Sequence, residues 1–142
     1  MKKKIIIGYT TGVFDLFHVG HVRLLKKAKS LCDRLIVGVS TDKLVKRYKN
    51  KYPIISQKER IEVVRSNKYV DYVVSQNSLN KFTSWKKLKY DLIFVGDDWF
   101  ATTKWRELDI KFKEVGVRII YLPYTKGTSS TKINNILSTF RK

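Results

Sequence analysis

His18 and His21 are the only histidines in this 142-residue chain, and they lie three residues apart in the run GVFDLFHVGH at positions 12–21. A short apolar segment that reads as a β-strand precedes them, and a helical pattern begins at them. The first turn of a helix carries free N–H groups and a partial positive charge, which suit a phosphate. Two imidazoles beside that turn can donate hydrogen bonds to phosphate oxygens that gain charge in a transition state. The spacing therefore predicts that this pair stabilises a reacting phosphate.

Other roles for the residues of this run stay open. One histidine could cap the helix while the other packs in the core. A zinc site would need cysteine or carboxylate ligands at a spacing that the neighbouring sequence lacks, so no metal ligand is predicted. Gly12 is expected to allow a tight turn after the strand, and Gly20 to allow a ligand close to the helix. Asp15 could hold the loop by accepting backbone N–H groups.

The elements that must position the pair alternate between strand and helix along the whole chain. Apolar patterns predict five strands at 5–9, 34–39, 71–75, 91–95 and 117–122. They predict helices at 21–31, 42–47, from 56, at 79–88, around 105–115 and at 131–140. This order predicts an α/β fold: one doubly wound, Rossmann-like parallel sheet in strand order 3-2-1-4-5 with helices on both faces.

Ligands of such sheets bind beyond the carboxyl ends of the strands, where the strand order reverses. The two histidines follow the first strand, residues 96–99 follow the fourth and residues 127–131 follow the fifth. We therefore expect all three segments to meet at one crevice.

Two local signals place helix ends: Ser56 with Glu59 predicts a capping box, and Gly116 predicts a helix C-cap. Leu31 and Ile136 are expected to face inward.

Composition bounds the remaining possibilities. Apolar residues make up 43% of the chain and are spread along it, which predicts one globular domain over residues 1–142. A single cysteine fits a reducing, cytoplasmic setting, and no apolar run approaches the roughly 20 residues of a membrane span. The formal charge of +18 attracts anions, either small phosphorylated ligands or nucleic acid. The basic residues form no stripe and no nucleic-acid motif, so nucleic acid is the less favoured partner.

The run G12-x-F-D-x-x-H-x-G-H21 resembles the signature of the HxGH nucleotidyltransferases. Those enzymes move a nucleoside monophosphate from a triphosphate to a phosphorylated acceptor. The segments GDDW at 96–99 and GTSSTKI at 127–133 narrow the resemblance to the cytidylyltransferases, most of all to the glycerol-3-phosphate cytidylyltransferases. The resemblance implies transfer of CMP from CTP to glycerol 3-phosphate, with Mg²⁺ bound through the substrate phosphates. It also implies a homodimer, because residues 67–71 resemble a family segment near the dimer contact.

The same resemblance assigns roles to individual residues. It implies that His18, His21 and Lys51 are catalytic. It implies that CTP is bound by Val13, Phe14, His18, Gly20, His21, Lys51, Asp97, Tyr124, Thr125, Gly127, Ser129, Ser130 and Thr131. It implies that the acceptor is bound by Lys49, Lys81, Asp98 and Trp99. Arg60 matches a family arginine, and its helical position would also permit a surface or interface role.

One departure from the family pattern is Tyr124, which stands where the family has an arginine. A guanidinium expected on the triphosphate is therefore absent, and Lys126 or Lys132 could supply the charge instead. Alternatives to glycerol 3-phosphate are another small phosphate ester, such as phosphocholine, phosphoethanolamine or a phospho-polyol, and adenylyl transfer from ATP. The GDDW run favours cytidine over adenine by resemblance. A catalytically silent family member and a nucleic-acid-binding protein are the alternatives from other classes.

Overall fold

The computed structural model of the chain describes residues 3–96, 102–123 and 130–140. Five strands run in parallel in the order β3-β2-β1-β4-β5, as the alternation of patterns predicts. The strands are β1 Ile7–Gly12, β2 Arg34–Ser40, β3 Tyr72–Gln76, β4 Leu92–Gly96 and β5 Arg118–Leu122. The helices are α1 Val19–Ser30, α2 Asp42–Lys49, α3 Gln57–Arg65, α4 Lys81–Leu88, α5 Thr103–Glu114 and α6 Ser130–Phe140.

Helices cover both faces of the sheet, and each face has its own hydrophobic core. Alternate residues of a strand point to opposite faces, so Leu35 and Val37 of β2 join one cluster while Ile36 joins the other. The first cluster includes Leu25 and Ala28 of α1 and Val64 of α3. The second cluster includes Trp105 and Phe112 of α5 together with Tyr90. Burial on both faces explains why β2 and β4 are continuous apolar runs rather than alternating ones.

Aspartates hold the amino ends of the central strands. The carboxylates of Asp33 and Asp91 accept the N–H groups of Ile6 and Ile7, and the Asp71 carboxylate accepts the N–H of Leu35. Strands β3 and β4 each begin one residue after the predicted start, at the residues that follow Asp71 and Asp91. At the other end, β1 continues to Gly12, which pairs with Val39. The predicted first strand therefore lies too early, and β1 reaches closer to the histidines.

Several helix ends differ from the prediction. Helix α1 begins at Val19 because His18 is its N-cap, and α2 continues to Lys49, where Asn50 ends it in a left-handed conformation at φ 57°. Helix α3 begins after Ser56 as predicted, but the side chain of Ser56 makes no capping hydrogen bond, so the predicted capping box is wrong. Instead, the carboxylate of Asp42 accepts the N–H of Gln57.

Other local predictions divide in the same way. Gly116 ends α5 at φ 83° as predicted, in the position that directly follows the C-cap residue Val115. Leu31 and Ile136 are 40% and 51% exposed, so the prediction that they face inward is wrong. No helix in the described ranges has both the length and the apolar character needed to cross a bilayer.

Candidate active site

A cavity of about 850 Å³ opens at the carboxyl edge of the sheet, where β1 and β4 lie side by side and the strand order reverses. Its walls come from the end of β1 and the two residues after it (10–14), the end of β4 (93–96), the residues that lead into α4 (78–81) and one face of α5. His21 lines it from the first turn of α1. The cavity lies at the crevice that the sequence predicts, and its volume is in the upper part of the range for small-molecule sites.

His18 and His21 cap their own helix reciprocally. The N–H of Gly20 donates to His18 Nδ1 at 3.0 Å, and the N–H of His18 donates to His21 Nδ1 at 3.1 Å. The two ring centroids are 4.0 Å apart. Since each Nδ1 accepts a hydrogen bond, each neutral ring carries its proton on Nε2. Both imidazoles are therefore set as Nε2–H donors.

This cap changes which hydrogen-bond donors the first turn of α1 can offer to a phosphate. The expectation was a turn with free N–H groups, but the N–H of Gly20 is bound by His18 Nδ1 and that of His21 by the carbonyl of His18 at 3.0 Å. The donors that this turn offers to a ligand are therefore chiefly the two imidazoles. The capping role that the sequence left open for one histidine is filled by both.

Burial keeps the pair neutral. Desolvation, together with the neighbouring His18, lowers the pKa of His21 to about 4, although Asp15 opposes the shift. Burial also lowers the pKa of His18. Near neutral pH both rings therefore act as uncharged hydrogen-bond donors, an arrangement in which the donor needs no change of protonation state during a reaction.

The loop between β1 and α1 has an unusual backbone that places its side chains. Phe14 and Leu16 are non-glycine residues at φ 55° and 51°, a conformation that is uncommon without a functional or structural constraint. Phe14 is 4% exposed, and its ring lies close to Gly12. A Cβ added at Gly12 would lie 2.9 Å from an atom of that ring. Gly12 is therefore required for this close approach rather than for the predicted turn.

Asp15 ties the histidine loop to the segment before α3. Its two carboxylate oxygens accept the N–H groups of Ile54 and Ile55 at 2.7 and 2.9 Å. This is the loop-holding role that the sequence left open for Asp15, although the N–H groups belong to a distant segment. The carboxylate thus fixes the segment that follows Lys49 and Lys51 relative to the histidines.

Arg60 is a buried residue that connects segments next to the site, and only 1% of its surface is exposed. Its guanidinium donates to the carbonyls of Val13, Ser40 and Ile55 at 2.6, 2.9 and 2.8 Å, and it pairs with the Asp42 carboxylate at 2.5 Å. It therefore joins the ends of β1 and β2 to the starts of α2 and α3. The surface role that its helical position permitted is wrong; the four-residue spacing from buried Val64 was the signal that Arg60 faces inward.

Lys81 brings a cation into the same cavity as His21. Its Nζ donates to Thr11 Oγ1 at 2.7 Å, and no carboxylate of the described residues pairs with it. Burial and the nearby Lys104 lower the pKa of Lys81 to about 7.

Lys104 and Lys111 line the cavity from α5 although neither was singled out from the sequence. Their seven-residue spacing, with Leu108 between them, was the available signal.

Lys49 and Lys51 lie outside the cavity wall, on exposed positions at the end of α2 and just after it. Partial desolvation by neighbouring atoms lowers the pKa of Lys49, the charge of Lys51 acts in the same direction, and Asp15 opposes both. The two lysines are therefore close to each other and to the loop that carries the histidines. Their roles toward acceptor and triphosphate stay predictions.

The rest of the predicted site lies outside the described residues. This applies to Asp97, Asp98, Trp99, Tyr124, Thr125, Gly127 and Ser129. Ser130 and Thr131 form the first turn of α6, as the pattern predicts, and their side chains also lie outside the description. Val13 and Phe14 line the cavity, whereas His18 and Gly20 belong to the adjoining turn.

The described residues do not form a cage for a metal ion. Within residues 3–96, 102–123 and 130–140, no group of three or more histidines, cysteines or carboxylates has a geometry that could hold one. The carboxylate of Asp15, the acid nearest the pair in sequence, already binds two backbone N–H groups. These residues offer hydrogen-bond donors and cations for an anion.

Comparison with known proteins agrees with this geometry. Residues 9–136 match the family model described as cytidylyltransferase-like. The FAD synthase of Thermococcus sibiricus is 38% identical over 137 residues, covering 96% of this chain and 93% of that protein. The FAD synthase of Pyrococcus abyssi is 39% identical over 140 residues, covering 94% and 89%. The glycerol-3-phosphate cytidylyltransferase of Bacillus subtilis is 36% identical over 138 residues, covering 92% and 94%.

Solved structures show the same fold. A lipopolysaccharide core biosynthesis protein from Thermoplasma volcanium superposes with a TM-score of 0.71 at 28% identity, covering 88% of this chain and all of that one. A pantoate–β-alanine ligase from Francisella tularensis superposes with a TM-score of 0.61 at 20% identity, over the whole of this chain and 74% of that one. With the histidine pair at the reversal point and near full-length similarity to two kinds of nucleotidyltransferase, the chain belongs to the cytidylyltransferase-like family of nucleotidyltransferases.

Proposed function

We propose that the protein transfers a nucleoside monophosphate from a nucleoside triphosphate to the phosphate of a small ester and releases pyrophosphate. The observation that supports this most is the reciprocal cap of His18 and His21. It makes two neutral imidazoles into oriented Nε2–H donors beside a cavity that carries lysines. Such donors favour a centre that gains negative charge on its oxygens, as phosphorus does when it becomes five-coordinate.

In the proposed reaction an oxygen of the acceptor phosphate attacks the α-phosphorus of the triphosphate. The bond between that phosphorus and the oxygen bridging to the β-phosphate breaks, and pyrophosphate leaves with the electron pair. His18 and His21 donate to the non-bridging oxygens of the α-phosphate. Lys81 supplies positive charge inside the cavity, and Lys49 and Lys51 supply it from the end of α2 and the turn after it. The protein needs no attacking side chain, since its contribution is alignment and charge stabilisation.

Mg²⁺ is part of this proposal as an ion carried by the phosphates of the substrate. Mg²⁺ keeps several waters and binds through substrate phosphates in many sites of this kind. Assembly as a homodimer stays a prediction as well.

For the substrates we propose adenylyl transfer from ATP to FMN, which joins AMP to the FMN phosphate and gives FAD. Relatives named FAD synthase reach 38–39% identity over 94–96% of the chain. The cavity is large, and Phe14, Ile93, Trp105 and Leu108 among its lining residues suit the aromatic ring system of a flavin or a purine. These relatives therefore support adenine as the base of the triphosphate, whereas the GDDW run favours cytidine by resemblance.

Cytidylyl transfer from CTP to glycerol 3-phosphate is the second candidate. It is supported by the GDDW run at residues 96–99 and by two Bacillus relatives with that name at 36–37% identity. Both candidates use the same phosphate chemistry, so they differ only in the base and in the group that carries the acceptor phosphate.

The test is a two-by-two assay of pyrophosphate release, with ATP or CTP against FMN or glycerol 3-phosphate. We expect turnover with ATP and FMN, identified by FAD formation. Turnover with CTP and glycerol 3-phosphate alone would replace the first candidate by the second. Absence of pyrophosphate in all four reactions would reject nucleotidyl transfer to either acceptor.

The role of the histidines is tested with variants of the same turn. His18→Ala and His21→Ala are each expected to lower kcat by roughly 10²-fold or more, the usual cost of one lost transition-state donor. Val19→Ala is the matched control, because Val19 lies between them and is 45% exposed. Circular dichroism checks that each variant folds. Near-normal turnover in both histidine variants would contradict the mechanism.

A further inference from the structure

Phe17 is an aromatic residue beside the histidine pair that neither the motif nor the proposed reaction uses. In the pattern G-x-F-D-x-x-H-x-G-H it occupies a variable position. It is partly buried and packs against the core cluster that contains Phe14 and Leu25. Its place immediately before His18, the N-cap of α1, puts its ring next to the reacting groups.

The contacts of Phe17 single out His21. The ring of Phe17 stacks on the imidazole of His21, with centroids 5.1 Å apart and planes inclined by 26°. Phe14 contacts the same imidazole at 5.3 Å with a tilt of 54°, and it also contacts Phe17 at 6.4 Å. Stacked and tilted ring pairs at these distances contribute beyond the burial of area alone. The imidazole of His21 therefore lies in a pocket of aromatic rings.

The backbone keeps Phe17 in this place. Leu16, the residue before it, is held at φ 51°, and Asp15 anchors the loop through the N–H groups of Ile54 and Ile55. A left-handed conformation at a branched residue costs free energy and persists only where surrounding contacts enforce it. The strained backbone of this loop therefore coincides with the contact of both phenylalanine rings with the imidazole.

A ring stacked on an imidazole restricts rotation about the bond that sets which nitrogen faces which partner. In His21 the Nδ1 atom must face the N–H of His18 for Nε2–H to remain a donor. We propose that Phe17 is a positioning residue for the transfer reaction: its ring holds the His21 imidazole in the orientation that directs Nε2–H toward the α-phosphate. This inference rests on the proposed function, but the packing it describes can be measured without a substrate.

The experiment is an NMR titration of the histidines combined with kinetics, and it benefits from a chain with only two histidines to assign. In Phe17→Leu, water gains access to His21, and its pKa is expected to rise from about 4 by one unit or more toward 6.5. The kcat should fall about 10-fold with KM within about 3-fold, because misorientation affects the transition state more than ground-state binding. Phe17→Tyr retains the ring and should restore both values.

Ile120→Ala is the matched control for general destabilisation. Ile120 is partly buried against the same core cluster but lies on β5. It should lower the unfolding midpoint in urea while leaving the pKa of His21 unchanged. An unchanged His21 titration in Phe17→Leu, or a kcat equal to that of the wild type, would overturn the inference. If the wild type releases no pyrophosphate in any reaction, the proposed function fails, and the titration alone then decides whether Phe17 positions His21.

Discussion

Acidification should destabilise the folded protein through His21 by an amount that the structure allows to be worked out. The imidazole is partly buried against Phe14 and Phe17, and it lies beside His18. Its Nδ1 accepts a hydrogen bond from the N–H of His18, and a proton on Nδ1 would abolish that bond. Protonation therefore costs desolvation, places a charge against a second imidazole and removes a helix cap. Asp15 opposes this only in part.

The sign follows from proton binding in the two states. With a pKa of about 4 in the folded state against 6.5 for the ordinary group, the unfolded chain binds more protons between these values. The free energy of unfolding is therefore fully retained above about pH 6.5 and falls as the pH drops toward the folded pKa. Each unit of pKa difference corresponds to about 1.4 kcal/mol, so the loss amounts to about 3 kcal/mol.

The measurement is urea unfolding of the wild type and of His21→Gln at a series of pH values from about 7.5 to 4.5. Titrating groups away from this turn affect both proteins equally, so the difference between the two unfolding free energies reports on His21 together with its coupling to His18. This difference should shrink by most of the expected 3 kcal/mol as the pH falls. A difference that stays constant within about 0.5 kcal/mol across the series would refute the burial and capping argument.

Three further changes test other parts of the structure. Arg60→Met should lower the free energy of unfolding by about 3–5 kcal/mol in urea, because three backbone carbonyls lose their guanidinium donor. The Asp42 carboxylate loses its ion pair but still accepts the N–H of Gln57. Exposed Arg65→Met on the same helix should change the free energy of unfolding by less than about 0.5 kcal/mol. Lys81→Met should raise the KM of the acceptor about 10-fold at pH 6, because the variant lacks the ammonium group that binds the acceptor phosphate. As the pH rises through about 7, Lys81 of the wild type loses its charge, so the KM of the wild type should rise while that of the variant stays constant. Gly116→Ala should cost about 1 kcal/mol in thermal or urea unfolding through backbone strain alone, since φ is 83° and no atom lies within 4 Å of the added methyl group; a loss near zero would contradict this.

Local spacing was enough to predict the architecture. The continuous apolar runs of β2 and β4 and the helical periodicity between them indicate a parallel sheet with both faces covered. Right-handed crossovers and the position of the reversal then predict the strand order and the crevice. The placement of His18 and His21 after the first strand follows from the same reasoning, because it depends only on residues near one another in the chain.

The sequence by itself therefore determined the order of the elements and the location of the candidate site, whereas the tertiary structure decided how the site is built. Arg60 reads as a surface or interface residue until residues 13, 40, 42 and 55 are brought around its guanidinium. Lys81, Lys104 and His21 meet in one cavity although they come from α4, α5 and α1. Burial and the direction of hydrogen bonds depend on such contacts between distant segments. For that reason the pattern predicted two histidines beside a phosphate, and only the folded chain shows that they cap their own helix through Nδ1, which leaves Nε2 as the nitrogen that can donate.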